Sequence, residues 1–314
     1  MRLVQRLKDS LVNLGAGNVL TQTALRLTVS REGFQLCFDP EAISLSKDGK
    51  TILLRPEDLS FVPLMATMHD HFFQMLQPDV AGDASRIDFT KPRLHKYVRT
   101  GIELVAPNIA EDDSMPEYTL RFQPQPGMVV FDVGAHAGLT TVELSRMVGS
   151  SGHVFAFEPD NRARSYLIEN LRTCGVENVS VSSAAIGEFS GEAVFSMDGT
   201  QAAGFVDSIV YSRPEMTKTV QVLTLADACS WAGSIPHFIK ADIEGAELGM
   251  VRGSVDFLRS NRIDIVFETH RLRDGSFTHD HLKPLLSSAG YEVEVMVLGL
   301  MKQNLLFATP RATA

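Results

Sequence analysis

Hydrophobic and polar positions fall along this chain in two regimes. Between residues 33 and 54, apolar and polar side chains alternate on either side of Lys47-Asp48-Gly49-Lys50. Alternation of period two marks half-buried strands, and Asp-Gly between two such runs predicts a tight hairpin. From 61 to 76 the apolar positions, Phe72, Phe73, Met75 and Leu76 among them, predict a helix. Glu111-Asp112-Asp113-Ser114 is a polar break, and Pro124, Pro126 and Gly127 punctuate the chain before a strongly apolar run. The pattern predicts an α+β N-terminal extension over residues 1–125 and a second domain over 126–314.

Beyond Gly127, strand and helix signals alternate. Strands are expected at 128–133, 153–157, 179–184, 237–241 and 263–267. Helices are expected at 139–147, 162–174, 246–259 and 280–289. A β-rich stretch runs through 193–196 and 219–224, and two last strands, 291–297 and 304–308, are spaced for a hairpin. This rhythm predicts a doubly wound, Rossmann-like α/β sheet with an antiparallel C-terminal edge. Such sheets bind ligands at the carboxyl ends of their strands.

Composition narrows the function classes. The chain has 314 residues, 44% hydrophobic, which is ordinary for a globular protein. A formal charge of −9 leaves no basic stripe to neutralise phosphates, so a nucleic-acid partner is not expected. Three well-separated cysteines, Cys37, Cys174 and Cys229, form neither a disulfide framework nor a zinc spacing. A reducing, cytoplasmic setting is therefore expected. No apolar run approaches the roughly 18 residues that a membrane span needs. The basic, amphipathic start Met1-Arg2-Leu3-Val4-Gln5-Arg6-Leu7-Lys8 reads as a short surface helix, with membrane-surface docking as the second choice.

The chemistry concentrates at strand ends. Val129-Val130-Phe131-Asp132-Val133-Gly134-Ala135-His136-Ala137-Gly138 describes a buried strand, an acid, a glycine turn and a helix start. That order delivers a nucleotide-like ligand to a helix N-terminus, where glycines allow close backbone approach. The spacing is Gly-x-x-x-Gly, and His136 stands where a pyrophosphate turn wants a second glycine. A ligand without a pyrophosphate is expected, and S-adenosylmethionine is the candidate cofactor. Asp132, buried, needs a partner, which the ammonium of a methionine moiety would supply; the plainer reading is an acid capping its own turn. Gly134 and Gly138 are expected to line the amino-acid end of the ligand. His136 either touches ligand or substrate, or packs.

Glu158, closing Phe155-Ala156-Phe157-Glu158-Pro159, sits where an acid accepts two ribose hydroxyls. The competing N-cap role is better filled by Asp160 or Asn161. In Ile239-Lys240-Ala241-Asp242-Ile243-Glu244-Gly245-Ala246-Glu247, alternation would put Lys240, Asp242 and Glu244 on one side and suggests a reaction centre. A salt-bridged turn, with Glu247 favouring a helix dipole, is the plainer reading. Glu268 and His270 share a face by the same alternation, and His270 is either a general base or a hydrogen-bonded rim residue. No metal site is assigned, although Asp242, Glu268 and His270 are the residues that would converge on a divalent cation. His69-Asp70-His71 and His279-Asp280-His281 sit on or beside helices, where residues two apart diverge, and are read as solvated histidines.

Residues 127–310 resemble the FkbM family of S-adenosylmethionine-dependent methyltransferases. Val130 to Gly138 resembles that family's first motif, and Phe157-Glu158-Pro159 its second-strand acid. Ala185-Ile186-Gly187 and Val222-Leu223-Thr224-Leu225-Ala226-Asp227 resemble its middle segment. Ile239 to Glu247 resembles its most distinctive motif, and Val266-Phe267-Glu268 its fifth strand. The resemblance implies a class I methyltransferase sheet, with Asp132, Gly134, His136, Gly138, Glu158 and Asp242 about the cofactor. It also implies methyl transfer, usually to an oxygen of a small metabolite, natural product or sugar, with nitrogen acceptors left open. Asp242 or His270 is the expected base, supported by Glu244 and Glu268. The competing classes are a nicotinamide-dependent oxidoreductase and an inactive cofactor-binding module. A small-molecule acceptor is the expected partner, a homodimer is open, and residues 1–125 are left as lid, dimerisation or recognition element.

Overall fold

The computed structural model describes residues 18–196, 204–205, 217–272, 274–299 and 303–312. The basic start of the chain lies outside them. The chain divides into two compact units, Met1–Asp112 and Asp113–Ala314.

In the first unit, helix α1 (Val19–Ser30) is capped by Asn18, whose side chain accepts from the N–H groups of Leu20 and Thr21. Strands β1 (Gln35–Phe38), β2 (Ile43–Lys47) and β3 (Lys50–Leu54) form an antiparallel meander. Its second turn holds Asp48 at φ 51° and Gly49 at φ 76°, the left-handed pair that the Asp-Gly signal predicts. A 3-10 turn (Pro56–Phe61) feeds α2 (Val62–Met75). Strands β4 (Asp79–Ala81) and β5 (Ala84–Asp88) complete a sheet of order β1-β2-β3-β5-β4, and β6 (Arg93–Lys96) pairs with β7 (Glu103–Ala106). Met65, His69 and Phe72 lie on the buried face of α2. His69 is therefore 2% exposed, ringed by Phe34 and Phe73 at 5.0 and 5.1 Å, and burial lowers its pKa. The expectation of a solvated histidine fails there because 69 falls four residues after Met65 and three before Phe72, on the helix's apolar stripe.

The second unit begins with α3 (Met115–Tyr118), ahead of the boundary expected at 125. Met115 and Tyr118 are buried with Val130, Phe238, Val266, Leu305 and Phe307, and this packing draws residues 113–125 into the second unit. The chain then runs β8 (Val129–Val133), α4 (Leu139–Val148), β9 (His153–Phe157), α5 (Asn161–Thr173) and β10 (Val179–Ser182). Strands β11 (Ala185–Ile186), β12 (Gly191–Ser196), β13 (Gly204–Phe205) and β14 (Thr217–Leu223) make a small second sheet. Next come α6 (Leu225–Ala232), β15 (Phe238–Ala241), α7 (Glu247–Arg252), α8 (Val255–Ser260), β16 (Asp264–Glu268), α9 (Thr278–Ser288), β17 (Tyr291–Leu298) and β18 (Gln303–Pro310).

The main sheet has the order β10-β9-β8-β15-β16-β18-β17. Its first five strands are parallel, and β18 and β17 add the antiparallel edge. This is the Rossmann-like class I arrangement. Phe131, Val133, Ile239, Ala241, Ile265 and Phe267 fill one face, while Val130, Phe238, Val266, Leu305 and Phe307 fill the other. The helix expected over 246–259 is two helices. They break at Gly253, where a Cβ would stand 2.1 Å from the carbonyl oxygen of Glu188, so another segment passes too close for a side chain.

Candidate functional site

At the carboxyl end of β8 the chain turns through Gly134 (φ 82°), His136 (φ 45°) and Gly138 (φ 101°) before α4 starts. His136 thus adopts the left-handed backbone that a second glycine would have supplied. Both glycines lie close against the chain itself. A Cβ on Gly134 would meet the carbonyl oxygen of Asp242 at 1.9 Å, and one on Gly138 would meet Leu167 Cδ1 at 2.6 Å. The first glycine clamps the β8 turn against the β15 turn.

Glu158 follows β9 directly and is 6% exposed. One oxygen accepts from His136 N–H and the other from Asp160 N–H, both at 2.8 Å. A carboxylate has about four acceptor positions, so two bonds leave capacity for a pair of ligand hydroxyls. Burial pushes its pKa up to about 7, against the pull of His136 and the two N–H donors. Asp160, not Glu158, caps α5, accepting from the N–H groups of Arg162 and Ala163.

Asp132 has partners within the chain. It is fully buried, Thr141 Oγ1 donates to Oδ2 at 2.6 Å, and Lys240 Nζ lies 3.3 Å from Oδ1. Lys240 stands opposite Asp132 in the β8–β15 register, so the pairing follows from the sheet. Its ammonium also donates to Gly134 O at 2.8 Å and lies 5.6 Å from the centre of the Tyr118 ring. Asp132 therefore braces the turn through Lys240.

The second cluster gathers beyond β15 and β16. Alternation does not carry Lys240, Asp242 and Glu244 along one edge, because β15 ends at Ala241 and Glu244 turns left-handed at φ 53°. The turn itself brings Asp242 and Glu244 to His270, with Oδ1 and Oε2 at 3.5 and 3.7 Å from Nε2. On the other side of the imidazole, Nδ1 lies 3.0 Å from Glu247 Oε1. That same oxygen accepts from the N–H groups of Ile243 and Gly245, and Glu247 is fully buried. Glu268 joins from β16, its Oε2 accepting from Tyr118 Oη at 2.7 Å and from Gln303 Nε2 at 3.1 Å. Gln303 also donates to Ser114 Oγ at 3.0 Å.

These contacts set the electrostatics. Burial drives the Glu244 carboxyl up to about 8, with Asp242, Glu247 and Glu268 adding to it and His270 opposing. Burial, then Asp242, raises Glu268 to about 7, against His270 and the Tyr118 hydrogen bond. For His270, burial works downward, but Glu244, Glu247 and Asp242 outweigh it and hold the ring well above its ordinary value. Burial and then Glu268 push the Tyr118 hydroxyl far up, so it remains a donor. An acidic pocket whose carboxyls titrate near neutrality can bind a cation and take up a proton.

Glu247, Tyr118 and Gln303 were not picked out as site residues. Glu247 stood in the quoted motif but reads equally well as a first-turn acid. Tyr118 and Gln303 lie far along the chain from Glu268, with no local signal. His279 and His281, expected to be solvated, are half-buried and lie within hydrogen-bonding distance of Thr269 (2.8 Å) and Ser276 (3.1 Å).

Comparison with known families finds that the profile described as "Methyltransferase FkbM domain" matches residues 132–293. Comparison with curated proteins gives no match. Among solved structures, the methyltransferase FkbM from Methylobacillus flagellatus KT is 16% identical, covering 92% of this chain and 59% of that one, with a TM-score of 0.43. A SAM-dependent methyltransferase from Aquifex aeolicus is 19% identical over 63% of this chain and 93% of its own, with a TM-score of 0.38. Aeropyrum pernix fibrillarin, solved with natively bound S-adenosyl-L-methionine, is 13% identical over 62% and 71%, with a TM-score of 0.41.

Proposed function

This chain belongs to the FkbM methyltransferase family, and on that footing we propose that it O-methylates a hydroxyl group of a small metabolite, natural product or sugar. Its cofactor, S-adenosylmethionine, supplies a methyl group activated on a sulfonium and leaves as S-adenosylhomocysteine. The protein's residues fit that group: Glu158 keeps acceptor capacity at the end of β9, and the pocket beyond β15 and β16 is acidic, as a cationic cofactor requires. Family membership sets the nicotinamide alternative aside.

The observation that carries the reading is the convergence of Asp242, Glu244 and Glu268 with His270 at the carboxyl ends of two adjacent strands. An aliphatic hydroxyl must lose its proton as its oxygen is methylated, so a base belongs beside it. Glu244 is assigned that proton. His270, one of the two bases expected from the sequence, is held cationic by its carboxylate neighbours and orients Asp242 and Glu244 instead. Asp242 positions the acceptor, and Glu268, steered by Tyr118 and Gln303, closes the pocket.

Incubation with methyl-labelled cofactor and a panel of hydroxyl and amine acceptors, followed by mass spectrometry, tests this. Methyl ethers should form, and Asp242→Ala should cut turnover by about a hundredfold, the cost of misplacing the acceptor, with affinity for S-adenosylhomocysteine much less affected. Products methylated only on nitrogen, or an Asp242→Ala enzyme as fast as the parent, would overturn it.

A further inference from the structure

We propose that Asp242, Glu268 and His270 hold a divalent cation, and that the ion selects acceptors presenting two adjacent oxygen atoms. The acceptor preference rests on the methyltransferase reading above; the ion site does not.

One ligand atom from each of the three side chains lies within 4.8 Å of the others, and all three side chains are partly open to solvent. The Asp242 Oδ1 to His270 Nε2 separation of 3.5 Å is close to that of neighbouring ligands on a six-coordinate ion, where bonds of about 2.1 Å place cis atoms about 3 Å apart. Two carboxylates and one imidazole form an oxygen-rich set suited to Mg²⁺ or Mn²⁺ rather than to a soft metal.

A second observation is independent of this clustering: two of the three would-be ligands, His270 and Glu268, are held by a partner behind them. Metal-bound histidines commonly give their other ring nitrogen to a carboxylate, and ligating carboxylates are themselves hydrogen-bonded. His270 Nδ1 meets Glu247 Oε1, which leaves Nε2 toward Asp242. Glu247 is fully buried and anchored by two backbone N–H groups of the Asp242 turn, while its other oxygen, also buried, has no hydrogen-bond partner. On Glu268 both donors, Tyr118 and Gln303, converge on Oε2.

Three protein ligands leave about three positions on a six-coordinate ion. Two oxygens of one acceptor, as in a vicinal diol or a hydroxyl beside a carbonyl, would fill two of them, and the ion would acidify the bound hydroxyl.

The test uses the full-length chain and Mn²⁺ alone, with free Mn²⁺ followed by electron paramagnetic resonance. One ion per chain should bind. Asp242→Asn and Glu268→Gln should each weaken binding by at least about tenfold, and Glu247→Gln, which touches no ion, by about 10- to 100-fold. S-adenosylhomocysteine binding is measured calorimetrically on the same samples without Mn²⁺, and far-UV circular dichroism confirms that the variants fold. If the parent protein takes up no stoichiometric Mn²⁺, or the variants bind it as the parent does, the ion site is wrong. The wild-type titration decides the first point even where a variant misfolds. Binding of S-adenosylhomocysteine without Mn²⁺ uptake sinks the ion alone, and Mn²⁺ uptake without S-adenosylhomocysteine binding sinks the methyltransferase reading alone.

Discussion

Replacement of Glu158 probes the cofactor end of the site most directly. In the free protein its two oxygens each hold one backbone N–H, and burial lifts its pKa to about 7. Only the ionised form can accept two ribose hydroxyls. A hydrogen bond to a charged acceptor is worth about 1.5 kcal/mol at the low end, so two are worth about 3 kcal/mol. Glu158→Ala should therefore weaken S-adenosylhomocysteine binding roughly a hundredfold. The pH dependence has a fixed sign. Binding favours the deprotonated carboxylate, so affinity is full above the free-protein pKa and declines as pH falls through it. With that pKa near 7, affinity at pH 6 should be about tenfold below its plateau, approaching the plateau near pH 8. Isothermal titration calorimetry across this range measures both effects, and thermal unfolding checks that the variant is folded. The alanine variant should also lose the pH dependence. A flat pH profile in the parent protein, or a folded Glu158→Ala that binds as well as the parent, would refute the ribose assignment.

Lys240→Met strands the buried Asp132 carboxylate and should cost about 3–5 kcal/mol of stability in urea unfolding, with Asp132→Asn in the same chain recovering a large part. Gly134→Ala puts a Cβ 1.9 Å from the Asp242 carbonyl at a left-handed φ, so it should lower the melting temperature and reduce turnover as the β15 turn shifts; a variant with both unchanged would contradict the clamp. Tyr118→Phe removes one charge-assisted hydrogen bond from Glu268, worth about 1.5–3 kcal/mol, and should slow turnover about tenfold while sparing S-adenosylhomocysteine affinity, as paired kinetic and calorimetric measurements would show.

The parallel part of the sheet was legible because most of its strands are largely apolar runs, and every expected strand from 128 to 267 has its counterpart. Hairpin register at Asp48-Gly49 was equally local, since the turn residues dictate left-handed φ values. The single helix expected over 246–259 overlooks Gly253-Ser254, a helix-stop glycine beside a cap-type residue. What no local pattern shows is that the Glu188 carbonyl, on a distant segment, leaves no room there for a side chain. The domain boundary moved for the same kind of reason: Pro126 and Gly127 do form a turn, but Met115 and Tyr118 find their core beyond it.

The order of strands and helices, the residues at each strand end, and the family could be read from local periodicity and short contiguous motifs. The sequence also put Asp132, Glu158, Asp242, Glu268 and His270 where a doubly wound sheet presents its ligands. The pairings were decided by tertiary structure alone. Asp132 answers Lys240 across the β8–β15 register, Glu268 answers Tyr118 and Gln303, and His270 stands between Glu247 and the Asp242–Glu244 turn. A buried charge takes whichever partner the packed strands bring within reach, and that partner is set by distance in space, which local sequence pattern does not encode.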